Sequence, residues 1–147
     1  MLMTAEFFIR SGTWQVLMKD AKAIREAVFI QEQNIQPEDE WDEMDAVSEH
    51  FVVYVGEQPV ATARLLLDHH IGRVAVLRDY RGLHIGQQLM QFIIDFAKQE
   101  YRPFLQLSSQ VHALGFYEGL GFQVQGQEYL DCGIPHIDMY LQMTKTD

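Results

Sequence analysis

The fold is decided by the stretch Gly72-Arg73-Val74-Ala75-Val76-Leu77-Arg78-Asp79-Tyr80-Arg81-Gly82-Leu83-His84-Ile85-Gly86. Its first half is apolar and predicts a strand, and its second half is a turn that leads into an amphipathic helix. The unpaired N–H groups at the start of such a helix attract an anion. Gly82 and Gly86 let the backbone approach a ligand, and Arg81 adds positive charge. The stretch therefore predicts a diphosphate-binding turn, the alternative being a tight turn with an exposed arginine.

Two common nucleotide sites are excluded by the same stretch. It contains no G-x-x-x-x-G-K-[ST] motif, which nucleoside triphosphatases require. It contains no G-x-G-x-x-G motif either, and it follows a run of predicted antiparallel strands instead of opening a doubly wound sheet. The ligand of this turn is therefore expected to be something other than a dinucleotide.

The chain before this stretch predicts one long helix and an antiparallel meander. Apolar side chains recur at helical spacing between Trp14 and Glu32, and Asn34 and Pro37 end the helix. Short turns separate the remaining apolar runs, as in antiparallel sheets. The predicted strands are residues 7–10, 51–55, 60–67 and 71–77, with a hairpin tip at His69-His70.

The chain after it predicts a parallel pair of strands. The amphipathic helix runs to Gln99 and a strand follows at residues 104–107, and strand–helix–strand connections join parallel neighbours. Ser108 or Ser109 is predicted to cap a helix that runs to Glu118. Further predictions are helix stops at Gly119 and Gly121 and strands at residues 122–124 and 137–143.

Composition indicates one globular domain, residues 1–147. A chain of 147 residues with 48% hydrophobic residues can bury a core unaided. The net charge of −10 argues against a nucleic-acid partner, which needs a cationic face. No basic leader or long apolar run is present, so we expect a cytoplasmic protein without a membrane partner. Cys132, the only cysteine, is interpreted as a packing residue, and no Cys/His spacing indicates a metal.

Charge is unevenly distributed along the chain. Residues 38–45 are strongly acidic, whereas Arg73, Arg78 and Arg81 cluster around the predicted turn. An acidic rim beside a basic pocket would suit an anionic cofactor and a cationic second substrate. The alternatives are a solvated acidic loop and a protein-interaction surface.

The turn resembles the acyl-CoA motif of the GNAT acyltransferases, Q/R-x-x-G-x-G/A. Arg81, His84 and Gly86 occupy its defining positions, with His84 where glycine is expected. In that family the preceding strand, here Val74-Ala75-Val76, pairs with pantetheine. The resemblance implies acetyl-CoA as cosubstrate and no metal.

A second segment, residues 113–122, resembles the family signature A-x-x-F-Y-x-x-x-G-F. Tyr117 then corresponds to the general acid that protonates the departing CoA thiolate. Without the resemblance, a tyrosine in this setting is also typical of the edge of a hydrophobic core. The family fold is α/β: a mixed sheet of about six to seven strands, antiparallel in its N-terminal half, with a parallel splayed central pair and helices on both faces. The cofactor-binding residues implied are Val74, Ala75, Val76, Arg81, Gly82, Leu83, His84, Ile85, Gly86, Ser109, Ala113 and Phe116.

Residues 25–33 and 133–139, with Asp42 and Asp45, are similar to the ElaA/YjcF-like branch of the family, whose acceptors are mostly undefined. We therefore expect an N-acetyltransferase that acts by direct transfer on a primary amine of a small cationic acceptor. The alternative is a binding module that senses CoA or another anion without catalysis. A homodimer paired through sheet edges is a further expectation from the resemblance.

The general base is left open by the sequence. Glu32, Glu49, His50 and His136 are candidates, acting directly or through a water. His136 follows a Gly-Ile-Pro segment, which we interpret as a turn that fixes its direction, and it joins Glu32 and Tyr117 in the predicted catalytic set. The backbone N–H of Val76, or of a neighbouring residue, is a candidate hydrogen-bond donor to the thioester carbonyl. Arg25 and Arg64 are either buried ion-pair partners or substrate ligands.

Overall fold

The computed structural model describes residues 6–143 and contains one seven-stranded mixed sheet. Its strand order is β1-β2-β3-β4-β5-β7-β6. This confirms the predicted fold class at the upper end of the expected strand number. The strands are β1 (Phe7–Gly12), β2 (Glu49–Val55), β3 (Gln58–Leu65), β4 (His70–Val76), β5 (Phe104–Gln110), β6 (Gln123–Asp131) and β7 (Ile134–Gln142).

Helices connect some of these strands and tight turns connect the others. In residues 6–143 no helix is long and apolar enough to cross a membrane. The longest regular helix, α3, follows the predicted turn and supports the sheet from one side. The α-helices are α1 (Trp14–Arg25), α2 (Pro37–Glu40), α3 (Ile85–Gln99) and α4 (Leu114–Glu118). A π-helix covers Glu26–Glu32, and 3-10 turns cover Glu43–Val47, Arg78–Tyr80 and Val111–Ala113.

The centre of the sheet changes from antiparallel to parallel, as predicted. β1 to β4 form an antiparallel meander, and β4 and β5 are parallel. Their pairing consists of His70 with Gln106 and Ile71 with Leu107. Beyond Ile71 the two strands diverge, while β4 stays paired with β3 and β5 with β7. The divergence opens the sheet towards the carboxyl ends of β4 and β5.

Strand β2 shows why helices cover both faces of the sheet. Successive side chains of a strand point to opposite faces, and β2 is apolar at every position from 51 to 55. Phe51 and Val53 pack in the core cluster that contains α3, and Val52 and Tyr54 pack in the cluster that contains α1. A strand buried on both faces requires a helix on each.

The long N-terminal helix has the predicted extent but not a uniform geometry. It is α-helical to Arg25 and π-helical from Glu26 to Glu32, where for example the N–H of Gln33 donates to the carbonyl of Val28, 3.1 Å away. The five-residue spacing widens the helix, a feature frequent at functional sites. It brings Phe29, Glu32 and Gln33 to the wall of the central cleft.

Three local predictions were wrong. Ser108 and Ser109 do not cap a helix, because both continue β5 in register with β7 and α4 begins only at Leu114. Gly119 has a right-handed helical conformation, whereas Gly121 has the expected positive φ of 102°. The Gly-Ile-Pro segment is no turn, since Ile134 opens β7 and the preceding turn has positive φ at Cys132 and Gly133. Strand pairing therefore overrides local turn propensity here.

A buried ionic network attaches the acidic segment to the sheet. Arg25, 1% exposed, donates to the carboxylates of Glu40 and Asp45 at 2.7 Å each. Arg64 donates to Asp45 at 2.8 Å and to Asp42 at 2.7 Å. The three-dimensional structure thus assigns Arg25 and Arg64 to ion pairs, one of the two roles that the sequence left open. Since these acids face arginines, much of the predicted acidic rim is neutralised.

Replacing Arg25 by methionine tests the network. Arg25→Met removes the shared cation and leaves two buried carboxylates without it, so we expect a loss of about 3–5 kcal/mol in the free energy of unfolding. Urea denaturation followed by circular dichroism measures the change. Lys19→Met, at an exposed position of the same helix, is the control and should change stability by less than about 0.5 kcal/mol. Equal effects of the two variants would contradict the role given to Arg25.

Candidate active site

A cleft of about 1010 Å³ lies where β4 and β5 diverge. This volume is at the upper end of the ~300–1,000 Å³ usual for small-molecule sites. One wall is the π-helix and the acidic segment, and the other is the turn before α3 together with α4. The predicted site residues that line it are Glu32, Val74, Ala75, Val76, Arg81, Gly82, His84, Ile85, Gly86, Ala113, Phe116, Tyr117 and His136.

The edge of β4 that faces the cleft carries polar backbone groups. The N–H of Leu77 donates to the carbonyl of Val60, 2.9 Å away, so the backbone N–H and C=O groups of Leu77 point towards β3. Backbone groups of successive strand residues point to opposite edges, so those of Val76 point towards β5. The register of β4 with β5 ends at Ile71, which leaves this edge available to a ligand.

The turn before α3 has the left-handed backbone that its glycine pattern suggests. Gly82 has φ 78°, and His84 has φ 65° at the position preceding the helix. A residue with a Cβ atom is disfavoured in that region, which explains why glycine suits position 84. A Cβ atom on Gly86 would lie 3.6 Å from both Val76 and Phe116, an ordinary van der Waals contact, so Gly86 lies where strand β4, helix α3 and helix α4 meet.

Arg81 does not project freely as a phosphate ligand. Its Nη1 and Nη2 atoms donate to the carboxylate of Glu32 at 2.6 and 2.7 Å, and Nε donates to the carbonyl of Val76 at 2.9 Å. The hydrogen bonds from Arg81 lower the pKa of Glu32. Arg73 likewise turns away, towards Glu40 and the acidic segment. The predicted basic cluster is therefore made of paired arginines.

Tyr117 is a protonated phenol in an apolar setting. It is 8% exposed, and its ring lies against Phe116 and Phe122, with centroids 5.0 and 6.1 Å away. Desolvation raises its pKa to about 12. The hydroxyl has no hydrogen-bond partner within the described part of the chain, residues 6–143. It can therefore donate its hydrogen to a ligand in the cleft.

His136, in strand β7, also lines the cleft. Its Nδ1 atom lies 2.7 Å from the carbonyl oxygen of Ile134, which can only accept. Nδ1 therefore carries hydrogen, and in the neutral ring Nε2 has a free lone pair. The ring stacks on Tyr129, whose hydroxyl is hydrogen-bonded to Asp138 and Ser108. The hydrogen bond to Ile134 and the stacking contact with Tyr129 together orient the imidazole.

Four other predicted candidates lie away from the cleft wall. Glu49 does not line the cleft, and His50 is buried with Nε2 2.8 Å from the carbonyl of Asp45. Burial lowers the pKa of His50, so it is a poor base. Ser109 is 1% exposed and donates to the carbonyl of Gln110, while Leu83 lines a separate depression beside α3.

The cleft keeps two carboxylates that no arginine neutralises. Asp39 and Asp131 line it from the acidic segment and from the β6–β7 hairpin, and neither side chain forms an ion pair with another described residue. Cys132 is exposed beside Asp131, contrary to its interpretation as a packing residue. Slight desolvation and the negative charge of Asp131 raise the pKa of its thiol. Within residues 6–143 no group of His, Cys, Asp or Glu could hold a metal ion.

Two glutamines and a histidine that line the cleft are joined by hydrogen bonds that were not predicted. Gln110 Nε2 donates to Gln33 Oε1 at 3.0 Å, and Gln110 Oε1 accepts from His112 at 2.7 Å. The link joins the end of the π-helix to the end of β5. Residues 33 and 110 are 77 positions apart, so no local pattern could have indicated this contact.

Comparison with known proteins agrees with this architecture. Residues 17–143 match the model of the acetyltransferase (GNAT) domain. The uncharacterized N-acetyltransferase YjcF of Bacillus subtilis is 38% identical over 83% of this chain and 90% of its own.

Two further relatives extend the comparison to solved structures. Protein ElaA of Escherichia coli is 34% identical over 79% of this chain and 81% of its own, and its crystal structure superposes with a TM-score of 0.84 over 93% and 100%. The structure of an acyl-CoA N-acyltransferase from Pseudomonas aeruginosa also has a TM-score of 0.84, at 28% identity over 92% and 99% of the two chains.

The left-handed backbone at His84 predicts that glycine stabilises the protein more than alanine does at this position, the reverse of the order within a helix. A left-handed residue with a Cβ atom costs about 1–2 kcal/mol, so His84→Ala should be less stable than His84→Gly by about 1 kcal/mol. Gln88, exposed within α3, is the control, because there alanine should be more stable than glycine by a similar amount. Urea denaturation of the four variants gives both differences. An alanine preference at both positions would contradict the left-handed turn.

Proposed function

The chain belongs to the GNAT family of acetyltransferases, and we propose that it transfers an acetyl group from acetyl-CoA directly to a primary amine of a small cationic acceptor. The observation that carries this proposal is the composition of one cleft. It combines an unpaired strand edge, the start of a helix, a protonated tyrosine and an oriented histidine. These are the groups that a thioester donor and an amine acceptor require.

The donor side of the cleft fits an acyl-CoA. The edge of β4 from Val74 to Val76, which β5 does not pair, can bind the amides of the pantetheine arm, although the carbonyl of Val76 already accepts from Arg81. The turn from Gly82 to Gly86 can receive the diphosphate. Acetyl-CoA supplies an activated acyl group when bound. The N–H of Val76, directed to the cleft, is placed to hydrogen-bond the thioester carbonyl and to stabilise negative charge on its oxygen.

Tyr117 is the proposed general acid. The new C–N bond replaces the C–S bond, and the sulfur leaves as a thiolate that needs a proton. Because the pKa of Tyr117 is raised to about 12, the phenol remains protonated at neutral pH and can donate to the sulfur. Its apolar surroundings strengthen a hydrogen bond to a developing negative charge.

His136 is the proposed general base. The free lone pair on Nε2 can accept a proton from the acceptor ammonium, directly or through a water. Glu32 is less suited to this step, because both of its oxygens accept hydrogen bonds from Arg81 and its pKa is lowered. The proton taken from the amine and the proton given to sulfur are thus assigned to two different residues of the cleft.

Replacing Tyr117 by phenylalanine tests the transfer chemistry. Tyr117→Phe should reduce thiol release from acetyl-CoA in an amine panel at least about hundredfold, while calorimetry shows CoA binding unchanged. Tyr101→Phe, at a position 88% exposed, is the control and should leave both measurements unchanged. CoA binding without thiol release in the wild type would favour the binding module that the sequence left as an alternative. Full activity of Tyr117→Phe would overturn the role of Tyr117.

Asp39 and Asp131 are expected to select a cationic acceptor. Asp39→Asn and Asp131→Asn should each raise the KM for an amine with a second ammonium group about threefold, since an exposed charge pair contributes less than about 1 kcal/mol. The KM for an amine with a neutral tail of equal length should not change. Glu57→Gln, an exposed charge removal outside the cleft, is the control. Equal changes for both amines would contradict selection by charge.

A further inference from the structure

Glu32 and Arg81 join the two walls of the cleft. Glu32 is the last residue of the π-helix, and Arg81 lies in the turn before α3. One carboxylate oxygen accepts from Nη1 at 2.6 Å and the other from Nη2 at 2.7 Å. A forked pair of this kind restricts the orientation of the guanidinium as well as its distance.

The same guanidinium also contacts the end of β4. Its Nε donates to the carbonyl of Val76 at 2.9 Å. A guanidinium has five N–H donors, and three are used by Glu32 and Val76. One N–H on each terminal nitrogen is left, because Arg81 makes no other hydrogen bond with the described residues 6–143. These two donors lie in a plane that Glu32 and Val76 together determine.

Glu32 also attracts a second arginine to the turn. Nη2 of Arg78 lies 3.8 Å from the Glu32 carboxylate. The Arg78 side chain is 73% exposed, so this longer contact adds little order. The forked pair with Glu32 therefore orders mainly Arg81 beside the predicted diphosphate site, at the expense of part of its positive charge.

We propose that Glu32 is a positioning residue for acyl-CoA: it holds the Arg81 guanidinium, and through it the end of β4, in the orientation that receives the diphosphate. This role rests on the proposed function, since it presumes CoA as the ligand. It assigns to Glu32 a part in donor binding and none in proton transfer.

The charge of Glu32 makes the proposal falsifiable. A carboxylate near a diphosphate repels it, whereas the orientation of Arg81 favours binding, and removal of Glu32 shows which effect is larger. If repulsion dominated, Glu32→Gln would bind CoA more tightly than the wild type. If positioning dominates, as we propose, Glu32→Gln binds CoA more weakly.

A double-mutant cycle on the intact chain measures the coupling. CoA binding is followed by calorimetry for the wild type, Glu32→Gln, Arg81→Gln and the double variant. We expect about a tenfold loss for each single variant, and no further loss when Glu32→Gln is added to Arg81→Gln. Glu38→Gln removes an exposed carboxylate of the neighbouring acidic segment and should bind like the wild type. Thermal unfolding of each variant verifies that it is folded.

Steady-state kinetics separate positioning from proton transfer. Glu32→Gln should raise the KM for acetyl-CoA and keep most of kcat, whereas loss of a general base would lower kcat. Additive losses in the cycle, tighter CoA binding by Glu32→Gln, or a collapse of kcat would each overturn the positioning role while leaving the proposed function intact. A wild-type protein that binds no CoA would overturn both.

Discussion

The site depends on where β4 and β5 stop pairing. Their parallel register contains two residue pairs, and beyond Ile71 each strand keeps only its outer neighbour. Buried backbone groups without a partner are unfavourable, so an edge opened inside a sheet is suited to a ligand that restores the hydrogen bonds. Because β3 and β7 hold the two strands apart, the opening is a property of the whole sheet.

The buried charges explain why a cleft lined by several arginines is not simply basic. Arg25, Arg64 and Arg73 are matched by Glu40, Asp42 and Asp45, which attach the acidic segment to the sheet. Arg73 reaches this network from a bulged position of β4 with φ 51°. Among the described residues, Asp39 and Asp131 line the cleft without an ion-pair partner, and we propose that they face the acceptor. Electrostatic character is therefore decided by pairing and not by composition.

The sequence predicted well those features that depend on the local spacing of apolar residues and glycines. The meander and the turn before α3 follow from alternating or helical apolar spacing and from glycine positions, and the structure confirms them. The predicted cofactor-binding residues other than Leu83 and Ser109 line the cleft, and their role in binding CoA stays a prediction. The divergence of the central parallel strands β4 and β5 was predicted from the family resemblance, because the sequence of a single strand does not indicate it.

The misplaced features depend on distant partners. Ser109 belongs to β5 because β7 pairs with it, and Arg81 is occupied by a carboxylate 49 residues away. The π-helical spacing after Arg25 differs from an α-helix by one residue per hydrogen bond, which apolar periodicity does not resolve. Local propensity cannot rank such alternatives, since tertiary contacts decide between them.

The reaction proposed for this cleft needs two opposite proton transfers, and Tyr117 and His136 lie in different surroundings. An acid must hold its proton until the thiolate forms, and the apolar contacts of Tyr117 favour this by raising its pKa. An ammonium must instead lose a proton to a group with an available lone pair. His136 has one, in a polar setting built from Tyr129 and Asp138. Both residues line one cavity from different elements, so the proposed reaction assigns its two proton transfers to groups with separate surroundings.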